Sequence, residues 1–276
     1  DALYDLPFTY RWHPAYDQVG GVPGLEEVKF SITANRGCYG NCTFCALAIH
    51  QGKYVQMRSR DSIVREAGRM VKDPDFKGYI HDIGGPTANF SHLACKKQAT
   101  RGYCPDRECL APEPCKNIDA SHKPYLETLR AVRKLPGIKK VFIRSGIRYD
   151  YLALDQDKAF FREPVEHHIS GQLRVAPEHI SDEVLRHMGK PAFQVYQNFA
   201  RHFKQIDDQL GKNQFVLPYF ITGHPGCSLQ DAVKLAEYIR DMGFFPEQVQ
   251  DFYPTPGSVA TAMYHTGVNP LTMEAV

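Results

Sequence analysis

The sequence predicts an α/β fold: a partial (β/α)6 TIM-like barrel of parallel strands with a Cys-rich insertion. Three observations lead there. Six short apolar runs rich in β-branched and aromatic residues recur along the chain. Helical patterns separate most of them, and strands joined through helices pair in parallel by right-handed crossovers. Only residues 87–122, rich in Pro and Cys, break the rhythm. An open doubly wound sheet is the alternative, and periodicity does not separate the two. In either architecture ligands bind at the carboxyl ends of the strands.

The elements follow in order. Residues 1–27 read as a lead-in segment and 28–276 as the core domain, with the insertion at 87–122. Val28 to Thr33 is the first strand and runs straight into a group of cysteines. A helix over Ser62 to Val71 carries Ile63, Ala67, Met70 and Val71 at helical spacing. Tyr79 to Ile83 is a strand ending on Gly84-Gly85-Pro86. After the insertion come a helix (Tyr125 to Leu135) and a strand (Val141 to Arg144). A strand over Gln172 to Val175 precedes helices at Asp182 to Met188 and Phe193 to Leu210. Phe215 to Ile221 is the fifth strand. Ser228-Leu229-Gln230-Asp231 forms a capping-box pattern, opening a helix that stops at Gly243. The sixth strand, Gln248 to Tyr253, leads into Pro254-Thr255-Pro256-Gly257.

Bulk properties narrow the function classes. A net charge of +2 supplies no field for nucleic acid or an anionic membrane, and no apolar run approaches the ~20 residues needed to span a bilayer. The opening Asp1-Ala2-Leu3-Tyr4-Asp5 is neither an initiator Met nor a signal peptide, so the chain reads as a segment of something longer. Seven of the eight cysteines fall in two tight groups, which suits metal ligation better than disulfides and predicts a reducing, cytoplasmic setting.

The first group is Arg36-Gly37-Cys38-Tyr39-Gly40-Asn41-Cys42-Thr43-Phe44-Cys45, spaced C-x3-C-x2-C. Three thiolates this close can wrap one face of a cubane, each on a different iron. Gly37 and Gly40 would let backbone N–H groups approach the sulfur atoms. The absent fourth thiolate leaves one iron open to a cofactor or substrate. A closed zinc knuckle, completed by a histidine such as His50, is the rival. For the whole chain the rival reading is a non-catalytic zinc-binding or iron–sulfur electron-transfer protein, with both cysteine groups as structural or redox sites.

C-x3-C-x2-C after the first strand of a βα-repeat chain resembles the radical S-adenosylmethionine (SAM) superfamily. Ile221 to Gly226, Tyr253 to Gly257, and Val175 to His179 with Asp182 to Leu185 and Met188 to Lys190 resemble blocks of its methylthiotransferase-like branch. Tyr79 to Phe90 and Phe142 to Tyr151 are similar, more narrowly, to the YgiQ-type family. The resemblance implies a [4Fe–4S] cluster on Cys38, Cys42 and Cys45, with SAM bound at its open iron. Reductive cleavage of SAM would then give a 5′-deoxyadenosyl radical, with electrons from a donor such as flavodoxin or ferredoxin. Phe44 matches the position that packs near the adenine. Gly84 and Gly85 match a Gly-Gly-Glu motif, but Pro86 stands where the acid is expected. Thr87 or Asn89 would replace its hydrogen bond, and Ser145, Arg148 and Glu178 are further contacts to SAM. His167 and His168 receive no role.

The second group, Cys95, Cys104, Cys109 and Cys115, lies in the insertion with Pro105, Pro112 and Pro114 between its members. Four thiolates there suit zinc or an auxiliary [4Fe–4S] cluster. Basic residues in the same stretch are offset by Asp106, Glu108 and Glu113, so nucleic acid is not indicated. Cys227 stands alone and reads as a small buried residue.

Overall fold

Pro23 opens a short helix, Pro23–Val28, so the first strand begins later than the apolar run suggests, at Ser31–Thr33. The structure, a computed structural model, describes residues 1–157, 159–244, 246 and 248–276. Ser31–Thr33 pairs in parallel with Asp82–Gly84, Ile32 opposite Ile83. The preceding piece of that run, Tyr79–Ile80, pairs in parallel with Lys140–Val141. The third strand ends early for a visible reason. The amides of Arg144 and Ser145 both turn to Asp82 Oδ1, at 2.7 and 3.0 Å, and leave the ladder.

The second half forms a three-stranded parallel sheet. Phe215–Thr222 lies centrally, between Gln172–Glu178 and Val249–Asp251. Neighbours in each group therefore follow sequence order, each parallel pair joined through at least one helix. Between the groups Ile143 N–H donates to the His168 carbonyl at 2.9 Å, but no ladder joins them among the described residues. The ladders establish a parallel α/β arrangement and stop short of a barrel.

Helices occupy the predicted places with shifted ends. Ser59 caps Arg60–Met70 by accepting from Ser62 N–H, and Pro124 sits in the first turn of Lys123–Arg133. Asp182–Met188 and Phe193–Gln209 follow. Leu229–Asp241 carries the capping box, with Ser228 and Asp231 satisfying each other's backbone N–H. Among the helices that lay outside the sequence reading are Tyr149–Ala153, Ala159–His167 and Val259–Thr266. Five residues are too few to display a 3.6-residue repeat, and Pro164 interrupts the second.

The core forms where strand residues such as Ile32, Ile83, Val141 and Val175 meet helix residues such as Ile63, Met70, Leu129 and Phe203. Each large side chain buried there contributes about 1.5–3 kcal/mol. A smaller cluster joins Cys38, Tyr39, Phe90, Leu110 and Tyr151, so the insertion shares buried surface with the first cysteine group. Tyr39 stacks on Phe90 with ring centroids 3.8 Å apart. No helix among the described residues is long and apolar enough to cross a membrane.

Candidate functional site

The first cysteine group occupies an excursion closed at its base by a short antiparallel ladder, Asn35–Arg36 with Gln56–Met57. Gly37 adopts a φ of +90° and lies where a Cβ would meet the Tyr54 carbonyl at 2.5 Å, so only glycine turns the chain here. Thr43 anchors the far side of the loop. Its N–H donates to the Met188 carbonyl and its hydroxyl to the His187 carbonyl, while its own carbonyl accepts from Ala260 N–H. Backbone amides reach two of the sulfurs: Gly40 N–H donates to Cys38 Sγ at 3.4 Å and Leu47 N–H to Cys45 Sγ at 3.5 Å. Burial pushes the Cys38 thiol up, and raises Cys45 to about 11. Without a metal these thiols stay protonated at neutral pH, whereas ligation requires thiolates.

Cys38, Cys42 and Cys45 line one cavity of about 370 Å³. Phe44, Thr87, Arg148 and Glu178 line it too, from loops and strands far apart in sequence. The Thr87 hydroxyl lies 3.9 Å from Cys38 Sγ. Arg148 is buried. Its Nη1 donates to Cys42 Sγ at 3.2 Å and its Nε to Asp150 Oδ1 at 2.7 Å. Burial opposes the charge on Arg148, but Asp150 and the nearby thiols outweigh it and hold the guanidinium protonated. Glu178 follows a β-bulge and has a φ of +71°, a left-handed conformation that a glutamate rarely takes. Its carboxyl is pushed up, chiefly by burial, while Lys190 at 3.5 Å and Arg148 pull it back.

Three buried polar atoms on residues lining this cavity lack a protein partner: Arg148 Nη2, the Tyr149 hydroxyl and Glu178 Oε2. Nine other buried polar atoms among the described residues also lack one, so what sets these three apart is their place on residues that line the cavity. The sequence reading missed Tyr149, Asp150 and Lys190. Asp150 could have been found, since an acid two residues from a buried arginine is a natural counter-charge.

Gly84, Gly85 and Ser145 stand behind the cavity wall. A Cβ on Gly84 would meet the Ser145 side chain, and one on Gly85 would lie 2.6 Å from the Asn35 carbonyl oxygen. Ser145 Oγ is engaged by Asp82. Asn89 is fully buried; its amide spans Arg148 and His122. These four residues set the backbone that carries the cavity. His50 is exposed at the end of the short helix Leu47–Gln51, and His168 Nδ1 bonds the Val141 carbonyl at 2.7 Å.

In the insertion the short helix Lys96–Arg101 follows Cys95, and Cys115 N–H donates to the Cys109 carbonyl at 2.9 Å. The Cys109 thiol is pushed up to about 12, first by burial and then by the charges of Cys115, Cys95, Glu108 and Cys104. Glu108 bonds Asn41 at 2.7 Å and Lys53 at 3.0 Å, strapping the insertion onto the first cysteine loop. All eight cysteines are free. Among the described residues no three His, Cys, Asp or Glu side chains gather around a single-ion position. Thiolates on separate irons of a cubane stand further apart than ligands of one ion.

A family model described as the radical SAM superfamily matches residues 32–239. The chain belongs to the radical SAM superfamily. Residues 247–276 match a further model, a domain of unknown function, DUF3362. Curated relatives called UPF0313 protein, from Clostridium perfringens and Clostridium botulinum, are 59% and 58% identical over 276 residues. They accord with the YgiQ-type resemblance, and this radical SAM chain spans 42% and 43% of their lengths. Its fold is similar to that of TsrM from Kitasatospora setae, a radical SAM methyltransferase solved with tryptophan and a SAM analogue bound. The TM-score is 0.52 and the identity 14%, covering 86% of this chain and 39% of that one. A second structure of that protein, with cobalamin and a [4Fe–4S] cluster, also gives 0.52.

Proposed function

We propose that this chain is the catalytic core of a radical SAM enzyme, with the cluster on Cys38, Cys42 and Cys45 and SAM in the adjoining cavity. The observation that carries this reading is the meeting of three thiols and three unpartnered polar groups of opposite character on one cavity. The amino and carboxylate groups of a methionine moiety need an acceptor and donors. Glu178 Oε2 would accept from the amino group, taking the part of the acid missing after Gly84-Gly85. Arg148 Nη2 and the Tyr149 hydroxyl would donate to the carboxylate. Phe44, whose ring stands edge-on to His224 at 6.0 Å, would flank the adenine.

When bound, the cluster and SAM together supply one-electron cleavage of the sulfonium and a 5′-deoxyadenosyl radical for hydrogen abstraction. The protein's share is to hold the thiols, orient the zwitterion and exclude water. An electron donor such as flavodoxin or ferredoxin would complete the reaction. Six strands in sequence order favour the partial barrel as the frame, with the cavity inside its curve.

The insertion would hold a metal of its own on Cys95, Cys104, Cys109 and Cys115. Four thiolates suit either zinc or a second [4Fe–4S] cluster.

Anaerobically reconstituted protein should carry about four irons at the first site and form 5′-deoxyadenosine with dithionite and SAM. Full product yield from Cys42→Ala would overturn the assignment.

A further inference from the structure

Arg148 does something that a contact to SAM does not require. Its Nη1 donates to the sulfur of Cys42 at 3.2 Å, a part-buried contact made by a buried side chain. The loop leaves room for it: a Cβ on Gly40 would lie 2.5 Å from that same Nη1. The main chain of Arg148 is also clamped. Asn89 Oδ1 accepts its N–H at 2.8 Å, and Asn89 Nδ2 donates to its carbonyl at 3.1 Å. The same amide lies 2.9 Å from His122 Nε2, whose ring places Nδ1 2.8 Å from Asp155 Oδ2. With the Asn89 amide as donor, His122 is the tautomer that gives its Nδ1 proton to Asp155. Two backbone anchors, backed by a buried histidine–aspartate pair, thus hold the main chain of Arg148, and a vacated side-chain position at Gly40 makes room for its guanidinium. A guanidinium serving only Asp150 would need no space at Gly40.

We propose that Arg148 is a positioning residue for the cluster centre, fixing the Cys42 sulfur and raising the electron affinity of the centre it helps hold. The inference rests on the proposed assignment of Cys38, Cys42 and Cys45 as cluster ligands. Reduction adds an electron to an already anionic centre. A cation and a hydrogen bond at a ligand sulfur both stabilise that added charge, more so under low dielectric. Asp150, on the far side of the guanidinium, works in the opposite sense.

The test is a redox titration of the reconstituted protein followed by electron paramagnetic resonance, with iron content measured alongside. Arg148→Met should shift the one-electron reduction equilibrium at least tenfold against reduction, a fall of about 59 mV. Gly40→Ala, which displaces the guanidinium, should move it the same way by less. Asp150→Asn should move it upward, and a purely structural role would not give shifts of opposite sign. If Arg148→Met fails to hold iron, the pair Arg148→Met with Asp150→Asn leaves no buried charge unpaired and should still titrate below the wild type. A double-variant potential at or above wild type would overturn the proposal. So would unmoved potentials with weakened SAM binding, which would assign Arg148 to the cofactor alone. A wild-type protein that takes up no cluster would sink this inference and the proposed function together. A working cluster with insensitive potentials sinks this one only.

Discussion

Replacing Lys190 by methionine removes the positive charge beside Glu178 while keeping most of the side-chain volume. The two side chains are 3% and 7% exposed, with Lys190 Nζ 3.5 Å from Glu178 Oε1. At an effective dielectric of about 20, unit charges at that separation attract by about 5 kcal/mol. Removing one partner of a buried pair destabilises proteins by about 3–5 kcal/mol, so that is the expected loss near neutral pH. Lys190 also donates to the Ala176 carbonyl at 2.6 Å, a second bond the variant forfeits. The sign with pH follows from burial. A carboxyl raised in the folded state contributes stability fully present below its unfolded pKa and lost as pH rises through the folded one. Lys190 limits that loss, so Lys190→Met should be most damaging at about pH 8 and much less so at about pH 4, close to the ordinary glutamate value, where a carboxyl pushed up by burial is protonated. Urea unfolding of metal-free wild type and variant at both pH values measures the difference. An equal loss at both would show that the carboxylate is not held buried against Lys190.

Thr87→Val removes a hydroxyl from the cavity wall and should leave iron content intact while weakening SAM about tenfold, read by equilibrium binding. Gly85→Ala forces a methyl against the Asn35 backbone; a drop in melting temperature, with no such drop for Gly146→Ala, where a Cβ meets nothing within 4 Å, checks the contact. Cys109→Ser should release the insertion's metal and open residues 87–122 to protease. Elemental analysis then distinguishes zinc from iron, and rapid alkylation of all four thiols in the untreated protein would mean that the insertion holds no metal.

The parallel α/β arrangement was legible because its signals are local. Apolar runs such as Phe215 to Ile221 and the Ser228–Asp231 capping box depend on near neighbours alone. The three cysteines were legible as one group for the same reason, standing within eight residues of each other. What the sequence could not display was long-range pairing. Lys190 meets Glu178 only because the Gly189 turn after Asp182–Met188 swings it back toward the strand. Asn89 looks like a cofactor contact in a polar run, yet the fold buries it completely as a clamp on Arg148, 59 residues away. Gly84 and Gly85 carry the motif's spacing, but their lack of a side chain is spent on close packing against Ser145 and Asn35. Strand ends fared worst, because Asp82 captures two amides of the third strand, a tertiary event that no period reveals.

The backbone at Glu178 bears on how this protein could be engineered. A left-handed conformation at a non-glycine residue is unfavourable by roughly 1–2 kcal/mol, and here a buried carboxyl is added to it. Glycine would relax the backbone, and an apolar side chain would ease the desolvation. Lys190 would then be left as an unpaired buried charge, so a screen rewarding heat resistance alone would have to rewrite position 190 together with position 178, losing a group proposed to meet the cofactor. Libraries built on this chain should keep both codons fixed and look for stability on the exposed faces of the helices.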